Sequence, residues 1–264
     1  EVFYRVDAEF KTEKGSRFKA KLPKNLSTQD EEEAFLEGQK QADFNVSDLT
    51  KKPAKKSPAP PFTTSTLQQE AARKLYFSVS KTMNMAQRLY EAGHITYMRT
   101  DSVNLSVQAK QSAEDEIKST YGNQYHKARN YKGKAKGAQE AHEAIRPTNF
   151  SVHQIDAERD QQRLYELIWK RAIASQMSDA ALERTNIKIS SDKDKREFSA
   201  NGEVVKFDGF LKVYLESKDE EEEEQSGLLP AMKIGDSLEN QFIQATERYT
   251  RPPSRYTEAS LVKK

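Results

Sequence analysis

The sequence predicts a multidomain α+β protein in which a mainly helical block interrupts a β-rich region. Strand-like alternation of apolar and polar residues occurs near both ends of the 264-residue chain, and helical periodicity with capping residues occurs in its middle. Neither β-rich part alone has enough strands to form a sheet of typical size. We therefore expect the two β-rich parts to pair with each other around the helical insertion.

The first β-rich part is predicted to cover residues 1–57. In "VFYRVDAEF", apolar residues such as Val6 and Phe10 share one face of an extended chain, and charged residues share the other. The segment "SRFKAKL" predicts the return strand. The segment "TQDEEEAFLEGQKQA" predicts a helix, because Thr28 can cap it and acidic residues fill its first turn.

The helical block is predicted to cover residues 58–182, after a proline- and lysine-rich domain crossing, "KKPAKKSPAPP". Its helices are indicated by "TSTLQQEAARKL", "SKTMNMAQRLYEAG", "SVQAKQSAEDEIKSTYG" and "DAERDQQRLYELIWKRAIASQM". We expect Ser65 or Thr66 to cap the first of these helices and Ser80 the second, and we expect the third to run from Ser106 to a stop at Gly122. Apolar spacing of i, i+3, i+4 and i+8 in the last segment predicts a long buried stripe.

The second β-rich part is predicted to cover residues 183–249. In it, "EFSANGEVVKF" predicts a hairpin with a type I′ turn at Asn201-Gly202, and "DGFLKVYLES" and "DSLENQFIQATERY" predict further strands. An acidic run at 218–227 predicts a solvated loop. Residues 250–264 follow the last predicted strand. Because the chain begins without methionine and ends within a pattern, we expect an internal piece of a longer protein.

Composition excludes some classes of function. The chain has no cysteine, which excludes disulfides, zinc-thiolate sites and thiol nucleophiles. Its net charge is +2, from 43 basic and 41 acidic residues, and this small total does not exclude a nucleic-acid partner. No apolar run approaches the ~20 residues of a membrane span, so no membrane partner is expected.

The segment "GHITYMRTDSVNLS" places a tyrosine two residues before an arginine. In an extended chain, Tyr97 and Arg99 share a face with Ile95, while Thr96 and Met98 point the other way. A phenol titrates near ~10 and is a weak nucleophile at neutral pH, but a fixed positive charge favours the phenolate. A guanidinium can also hold a phosphate through two hydrogen bonds. This pair suits attack on a phosphodiester, although a tyrosine and an arginine in a strand are also ordinary packing and surface.

This segment, with "AQRLYEAG" before it, resembles the active-site segment of bacterial DNA topoisomerase I, a type IA topoisomerase. Three further segments are similar to that family in order and spacing: "PFTTSTLQQEA" (61–71), "AHEAIRPT" (141–148) and "RPPSRYTEASLVKK" (251–264). One departure is His94, where the family often carries a tyrosine. It lies beside the matched site and changes no role.

The resemblance implies roles for individual residues. It makes Tyr97 the nucleophile, Arg99 the phosphate-binding arginine, and His142 an active-site histidine that helps to bind the DNA strand. Further DNA-binding residues are implied near the site: Glu91, Ser65, Thr66, Gln68 and Arg146. The residues themselves leave the role of Arg146 open, because it precedes Pro147 and could hold either a phosphate or a carbonyl.

The resemblance also implies the fold and the reaction. The fold would be part of a torus, with a β-rich arch carrying the inserted tyrosine domain and with residues 250–264 as the truncated start of the next domain. The parent would relax negatively supercoiled DNA without ATP, by single-strand cleavage through a 5′-phosphotyrosine, strand passage and religation. It would use Mg²⁺ held by acidic residues outside this chain, so no cofactor is expected here, and the isolated chain should be inactive without that amino-terminal domain. The implied partners are single-stranded and negatively supercoiled DNA and the parent's other domains, in the bacterial cytoplasm and nucleoid.

Other segments allow alternative interpretations. "HEAIR" lacks the second histidine of a zinc-protease motif. "SDKDK" (191–195) offers two aspartates among basic residues, which predicts a turn rather than a metal site. "KARNYKGKAKGAQ" (127–139) could bind single-stranded DNA through its cations and Tyr131, or could be a polar loop. A tyrosine recombinase and a non-enzymatic module that binds single-stranded DNA remain rival functions.

Overall fold

The computed structural model describes residues 1–131, 142–215, 229–252 and 255–261. Within these, the strands are β1 (Val2–Thr12), β2 (Arg17–Lys21), β3 (Phe44–Lys56), β4 (Ala180–Ser191), β5 (Phe198–Phe207) and β6 (Ser237–Tyr249). The helices are α1 (Gln29–Gln39), α2 (Thr64–Leu75), α3 (Val79–Glu91), α4 (Val107–Thr120), α5 (Arg159–Ser175) and α6 (Glu258–Leu261). The predicted acidic loop at 218–227 and the basic residues Lys132, Lys134 and Lys136 lie outside the described residues.

Packing divides the chain into two compact units. The first comprises residues 1–54, 182–206 and the described residues of 223–254, and the second comprises residues 55–181 and the described residues of 207–222 and 255–264. The domain boundaries at 57/58, 182/183 and 249/250 stay a prediction for the protein.

The strands of the first unit form a closed barrel in the order β1-β2-β5-β4-β3-β6. β1 pairs antiparallel with β2, and along its other edge it pairs with β6 from Val2↔Tyr249 to Thr12↔Leu238. This pairing joins the first β-rich part of the sequence to the second, as expected from their size. A register shift at Glu9/Phe10 interrupts the β1–β6 ladder.

An aromatic cluster fills the barrel. The alternation in β1 is confirmed, because Val6 and Phe10 are fully buried. The ring of Phe10 lies 5.1 Å from that of Phe44 and 5.6 Å from that of Phe198, between centroids. Helix α1 adds the buried ring of Phe35 to this cluster. Such dense burial of large apolar side chains is the main stabilising contribution to a unit of this size.

The structure corrects three predictions for the strands. Asn201-Gly202 forms no turn but continues β5, where Asn186 on β4 donates a 2.7 Å hydrogen bond to the side chain of Asn201. The connection between β4 and β5 instead lies at 192–197, where "SDKDK" predicted a turn. "DGFLKVYLES" contains a 3-10 turn over Gly209–Lys212 rather than a strand, and the positive φ of Gly209 (+50°) breaks the extended chain. The strand β3 was missed, because lysine and proline in its second half hide its pattern.

Helices α2 to α5 make up most of the second unit. The long stripe predicted for α5 is confirmed, because Leu164, Ile168 and Ala172 are fully buried. The predicted caps of α2 and α3 are wrong, because both helices begin earlier. Thr63 caps α2 and Ser78 caps α3, each from an extended backbone that lets its side-chain oxygen accept from the first turn.

No helix among the described residues is long and apolar enough to cross a membrane.

Candidate active site

The segment that carries Tyr97 is held by an antiparallel neighbour but is not a regular strand. Ile95 forms an isolated bridge with Pro147, and the backbone N–H of Thr96 donates to the carbonyl of Arg146 at 2.9 Å. Bends along this segment break the predicted alternation between Ile95 and Tyr97, whereas Tyr97 and Arg99 are exposed and Met98 between them is buried. Ile95 and Met98 are each 1% exposed, whereas Tyr97 is 45% exposed. The expectation that Ile95 shares a face with Tyr97 is therefore wrong, and the phenol lies at the surface.

The last turn of α3 lies against the phenol. The rings of Tyr90 and Tyr97 meet at 66° with centroids 5.2 Å apart, an edge-to-face arrangement. Glu91 follows Tyr90 in the same turn, is exposed, and accepts a 2.6 Å hydrogen bond from Gln87. Gly93, at φ +77°, ends this helix and turns the chain into the segment of Tyr97.

An open depression of about 330 Å³ adjoins this segment. It is lined by Thr63, Thr64, Ser65, Arg99, Thr100, Asp101 and His142. Three predicted site residues, Ser65, Arg99 and His142, are thus brought together at the N-terminus of α2. A guanidinium beside the positive end of a helix dipole favours an anion such as a phosphate. Asp101 lines the same depression and was not foreseen.

Thr66 and Gln68 do not line this depression. The hydroxyl of Thr66 accepts from the backbone N–H of Thr63 at 2.9 Å, and the Thr66 N–H donates to the Thr63 hydroxyl at 3.3 Å. This reciprocal pair is a capping box that fixes the start of α2. Gln68 is 8% exposed and lies among the buried residues of the same helix.

Arg146 is held by an ion pair within its own segment. Its guanidinium donates to the Glu143 carboxylate at 2.6 and 3.2 Å and to the carbonyl of Pro147 at 2.9 Å. Of the two roles left open by the sequence, the structure contains the carbonyl contact. Burial opposes ionisation of Glu143, but hydrogen bonds from Ser106 and Arg146 outweigh it and lower the pKa of this carboxyl. The ion pair between Glu143 and Arg146 was not predicted, although opposite charges three residues apart in the sequence can indicate such a pair.

The described residues of the basic segment 127–139 contact other residues of the chain through their side chains. Lys127 and Arg129 form ion pairs with Asp179 at 2.8 and 2.6 Å. The Tyr131 hydroxyl lies within hydrogen-bond distance of two carbonyl oxygens, and burial raises the pKa of this phenol to about 12. These contacts favour neither a mobile loop nor a free stacking platform at these three residues.

The described residues do not fit a resident magnesium ion. They contain no group of three or more histidine, aspartate or glutamate side chains that could hold a metal. Asp192 accepts from the backbone of Asp43 and pairs with Lys193, and Asp194 pairs with Arg196. The aspartates of "SDKDK" thus stabilise the turn between β4 and β5.

A closed barrel, a helical unit and a surface tyrosine near an arginine-lined depression make up a mixed α/β protein, which agrees with the fold class that the sequence predicts. A family model described as DNA topoisomerase matches residues 1–264. The chain is 50% identical over 228 residues to DNA topoisomerase 1 of Zymomonas mobilis, covering 84% of this chain and 19% of that protein. It is 47% identical over 259 residues to DNA topoisomerase 1 of Rickettsia bellii, covering 92% of this chain and 32% of that protein.

The structure of full-length topoisomerase I from Thermotoga maritima matches with a TM-score of 0.81 and 34% identity, over 100% of this chain and 43% of that one. The chain belongs to the bacterial type IA DNA topoisomerase family, as the resemblance predicted. It spans only 19% and 32% of the two curated relatives.

Proposed function

We propose that this chain supplies the nucleophilic tyrosine of a type IA DNA topoisomerase that relaxes negatively supercoiled DNA without ATP. The main support for the proposal is that the side chain of Tyr97 is 45% exposed. Tyr97 also lies two residues before Arg99, which lines a depression that favours an anion. At this exposure the phenol is open to a strand of DNA, which a buried tyrosine would not be.

The reaction follows from the phenol and the guanidinium. The Tyr97 oxygen attacks a backbone phosphorus of single-stranded DNA in line with the leaving 3′ oxygen. The new bond is a 5′-phosphotyrosine, the P–O3′ bond breaks, and the 3′ oxygen gains a proton as the phenol loses one. A strand passes, and the 3′ hydroxyl then attacks the phosphotyrosine and restores the chain. The ester conserves the bond energy, so no ATP is needed.

Arg99 holds the phosphate and neutralises its developing charge, and His142 orients the DNA strand from the same depression. Ser65 is the further DNA contact with the most support, because it also lines the depression. Glu91 is a contact from the exposed end of α3. Thr66, Gln68 and Arg146 have internal or buried positions, which makes them supports of the site more than direct contacts.

The barrel would belong to the arch of a torus, with the helical unit as its inserted tyrosine domain. Magnesium would be held by acidic residues of another domain of the parent. Single-stranded and negatively supercoiled DNA and the parent's remaining domains are the proposed partners, in the bacterial cytoplasm. Alone, the chain would cleave poorly. A recombinase has no specific observation in its favour.

The test is a covalent-adduct assay. The chain is mixed with the remaining domains of the Rickettsia bellii relative, Mg²⁺ and single-stranded DNA labelled at its 3′ or its 5′ end. A 5′-phosphotyrosine predicts that only the 3′ label becomes attached to protein. Tyr97→Phe should abolish the adduct, and Tyr76→Phe, at another exposed tyrosine, should not. An adduct that survives Tyr97→Phe would disprove the assignment, and no adduct in any mixture would favour a non-enzymatic module that binds single-stranded DNA.

A further inference from the structure

We propose that the hydroxyls of Thr64 and Thr96 are positioning groups that hold the reactive segment on both sides of Tyr97 and Arg99. The inference rests on the proposed function, since it gives both residues the task of orienting Tyr97 and Arg99. Thr64 opens helix α2 and Thr96 directly precedes Tyr97. Their side chains contact backbone atoms that lie far away in the sequence.

The segment needs such support because it has little of its own. Among the residues that the structure describes, no backbone-to-backbone hydrogen bond involves Tyr97, Met98 or Arg99. The segment bends instead of joining a ladder, so ladder hydrogen bonds do not fix its backbone. A loop held only by packing of Ile95 and Met98 would leave the direction of the exposed side chains poorly defined.

Thr64 holds the Arg99 side of the segment. Its hydroxyl lies 2.8 Å from the carbonyl oxygen of Met98 and 3.1 Å from that of Thr100, and it accepts from the Thr100 N–H at 2.9 Å. The backbone N–H of Thr64 donates to the Thr100 carbonyl at 2.8 Å. One hydroxyl thus contacts both peptide groups that flank Arg99. It also links the start of α2 to the depression that Arg99 lines.

Thr96 holds the Tyr97 side. Its hydroxyl donates to the carbonyl of Ala144 at 2.7 Å and accepts from the Arg146 N–H at 3.0 Å. Both partners lie in the segment that carries His142, so this hydroxyl connects that segment to the segment of Tyr97. Each threonine hydroxyl acts as donor and acceptor at once, which a valine of the same shape cannot do.

The chemical consequence is orientation. In-line attack requires the phenol, the phosphate and the guanidinium to keep a fixed geometry, and a misplacement of about 1 Å can cost on the order of 10²-fold in rate. We therefore expect Thr64→Val and Thr96→Val to lower the rate of adduct formation at saturating DNA by roughly 10- to 100-fold. The DNA concentration at half-saturation should change much less, because the groups that bind phosphate remain.

Matched variants separate the hydroxyl from the fold. Thr64→Ser and Thr96→Ser keep the hydroxyl and should restore most of the rate. Thr64→Ala removes the hydroxyl without setting a methyl group against the carbonyls, and should behave as Thr64→Val does. Thr82→Val is the control, because Thr82 is fully buried in α3 and its hydroxyl donates to the carbonyl of Ser78, the N-cap of that helix, at 2.9 Å. It should leave the rate near that of the unmodified chain.

Amide hydrogen exchange on the chain alone gives a second measurement that does not depend on DNA cleavage. Thr64→Val should speed exchange at the Thr100 amide, and Thr96→Val at the Arg146 amide, because these N–H groups donate to the deleted oxygens. The serine variants and Thr82→Val should not change either amide. Valine variants that react at the unmodified rate, or serine variants as slow as the valine ones, would overturn the proposal. If the unmodified chain formed no adduct, the proposed function would be contradicted. Amide hydrogen exchange would still show whether the two hydroxyls hold the segment.

Discussion

The ring of Tyr90 meets the ring of Tyr97 edge to face, with centroids 5.2 Å apart, while both side chains stay partly exposed. The last turn of α3 therefore contacts the ring of the phenol and leaves the phenol at the surface. An aromatic ring edge is electropositive and a ring face electronegative, so the contact favours one orientation over others.

This contact should be measurable as a coupling in stability. A double-mutant cycle with Tyr90→Leu and Tyr97→Leu should give a coupling free energy of about 0.5 kcal/mol, the low end for aromatic pairs, because water reaches both rings. The measurement is urea unfolding of the chain and its three variants. Additive effects would show that the rings touch without orienting each other. Tyr90→Phe serves as the control, since it keeps the ring.

Tyr76 occupies a backbone conformation that suits glycine. It ends α2 at φ +59°, the only described residue other than glycine with positive φ, and its side chain is 89% exposed. The left-handed conformation costs roughly 1 kcal/mol for a residue with a Cβ atom. Tyr76→Gly should therefore raise the free energy of unfolding by about 0.5 kcal/mol, after the entropy cost of glycine is subtracted.

Tyr76→Ala is the matched control, because alanine keeps the Cβ atom and should give no gain. Thermal or urea unfolding of both variants decides the matter. Equal stability of the glycine and alanine variants would contradict the prediction, because it would show that a Cβ atom in this conformation has no net cost.

Asp179 should make stability depend on pH in the acid range. Burial opposes its ionisation, but hydrogen bonds from Lys127, Ser57 and Arg129 outweigh burial and hold its pKa well below the usual range. A depressed folded pKa means that the contribution is complete above the unfolded value near ~3.9 and declines as pH falls below it. Asp179→Asn should cost about 2 kcal/mol at neutral pH, and the difference from the unmodified chain should shrink below about pH 4.

Urea unfolding from pH 2 to pH 7, at about one-unit steps, tests this dependence. Asp160→Asn is the control, because Asp160 forms a partly exposed pair with Lys81, and its replacement should lower stability much less than Asp179→Asn does. A cost for Asp179→Asn that stayed constant with pH would contradict the prediction.

The sequence was most informative where a segment has a clear periodic pattern of apolar residues. The strand β1 and the helix α5 were predicted because their buried positions repeat at the spacing of a strand and of a helix. Asn201-Gly202 misled because it carries a strong hairpin signal, yet pairing of β5 with β4 extends the chain through it. The strand β3 could not be recognised, since its second half presents lysines to solvent and has no apolar face.

The candidate site was predictable only in part. Tyr97 and Arg99 came from a local motif, and His142 from a second segment that matches the same family. The contacts that support them are not local. Thr64 reaches Thr100, and Thr96 reaches Arg146, across 36 and 50 residues. Hydrogen bonds between such distant segments have no period in the sequence, so only the folded arrangement reveals them.

Because β1 pairs with β6, the barrel can close only after both strands have been synthesised. Val2 meets Tyr249 across the seam of the barrel, so nearly the whole chain separates the two strands that close it. During synthesis on the ribosome, β1 emerges first and must wait with an open edge until β6 follows. Pairings between ends so far apart form slowly, and an unpaired edge can recruit a neighbouring chain in the meantime. The helical insertion thus lengthens the interval in which a newly made molecule is open to misassembly.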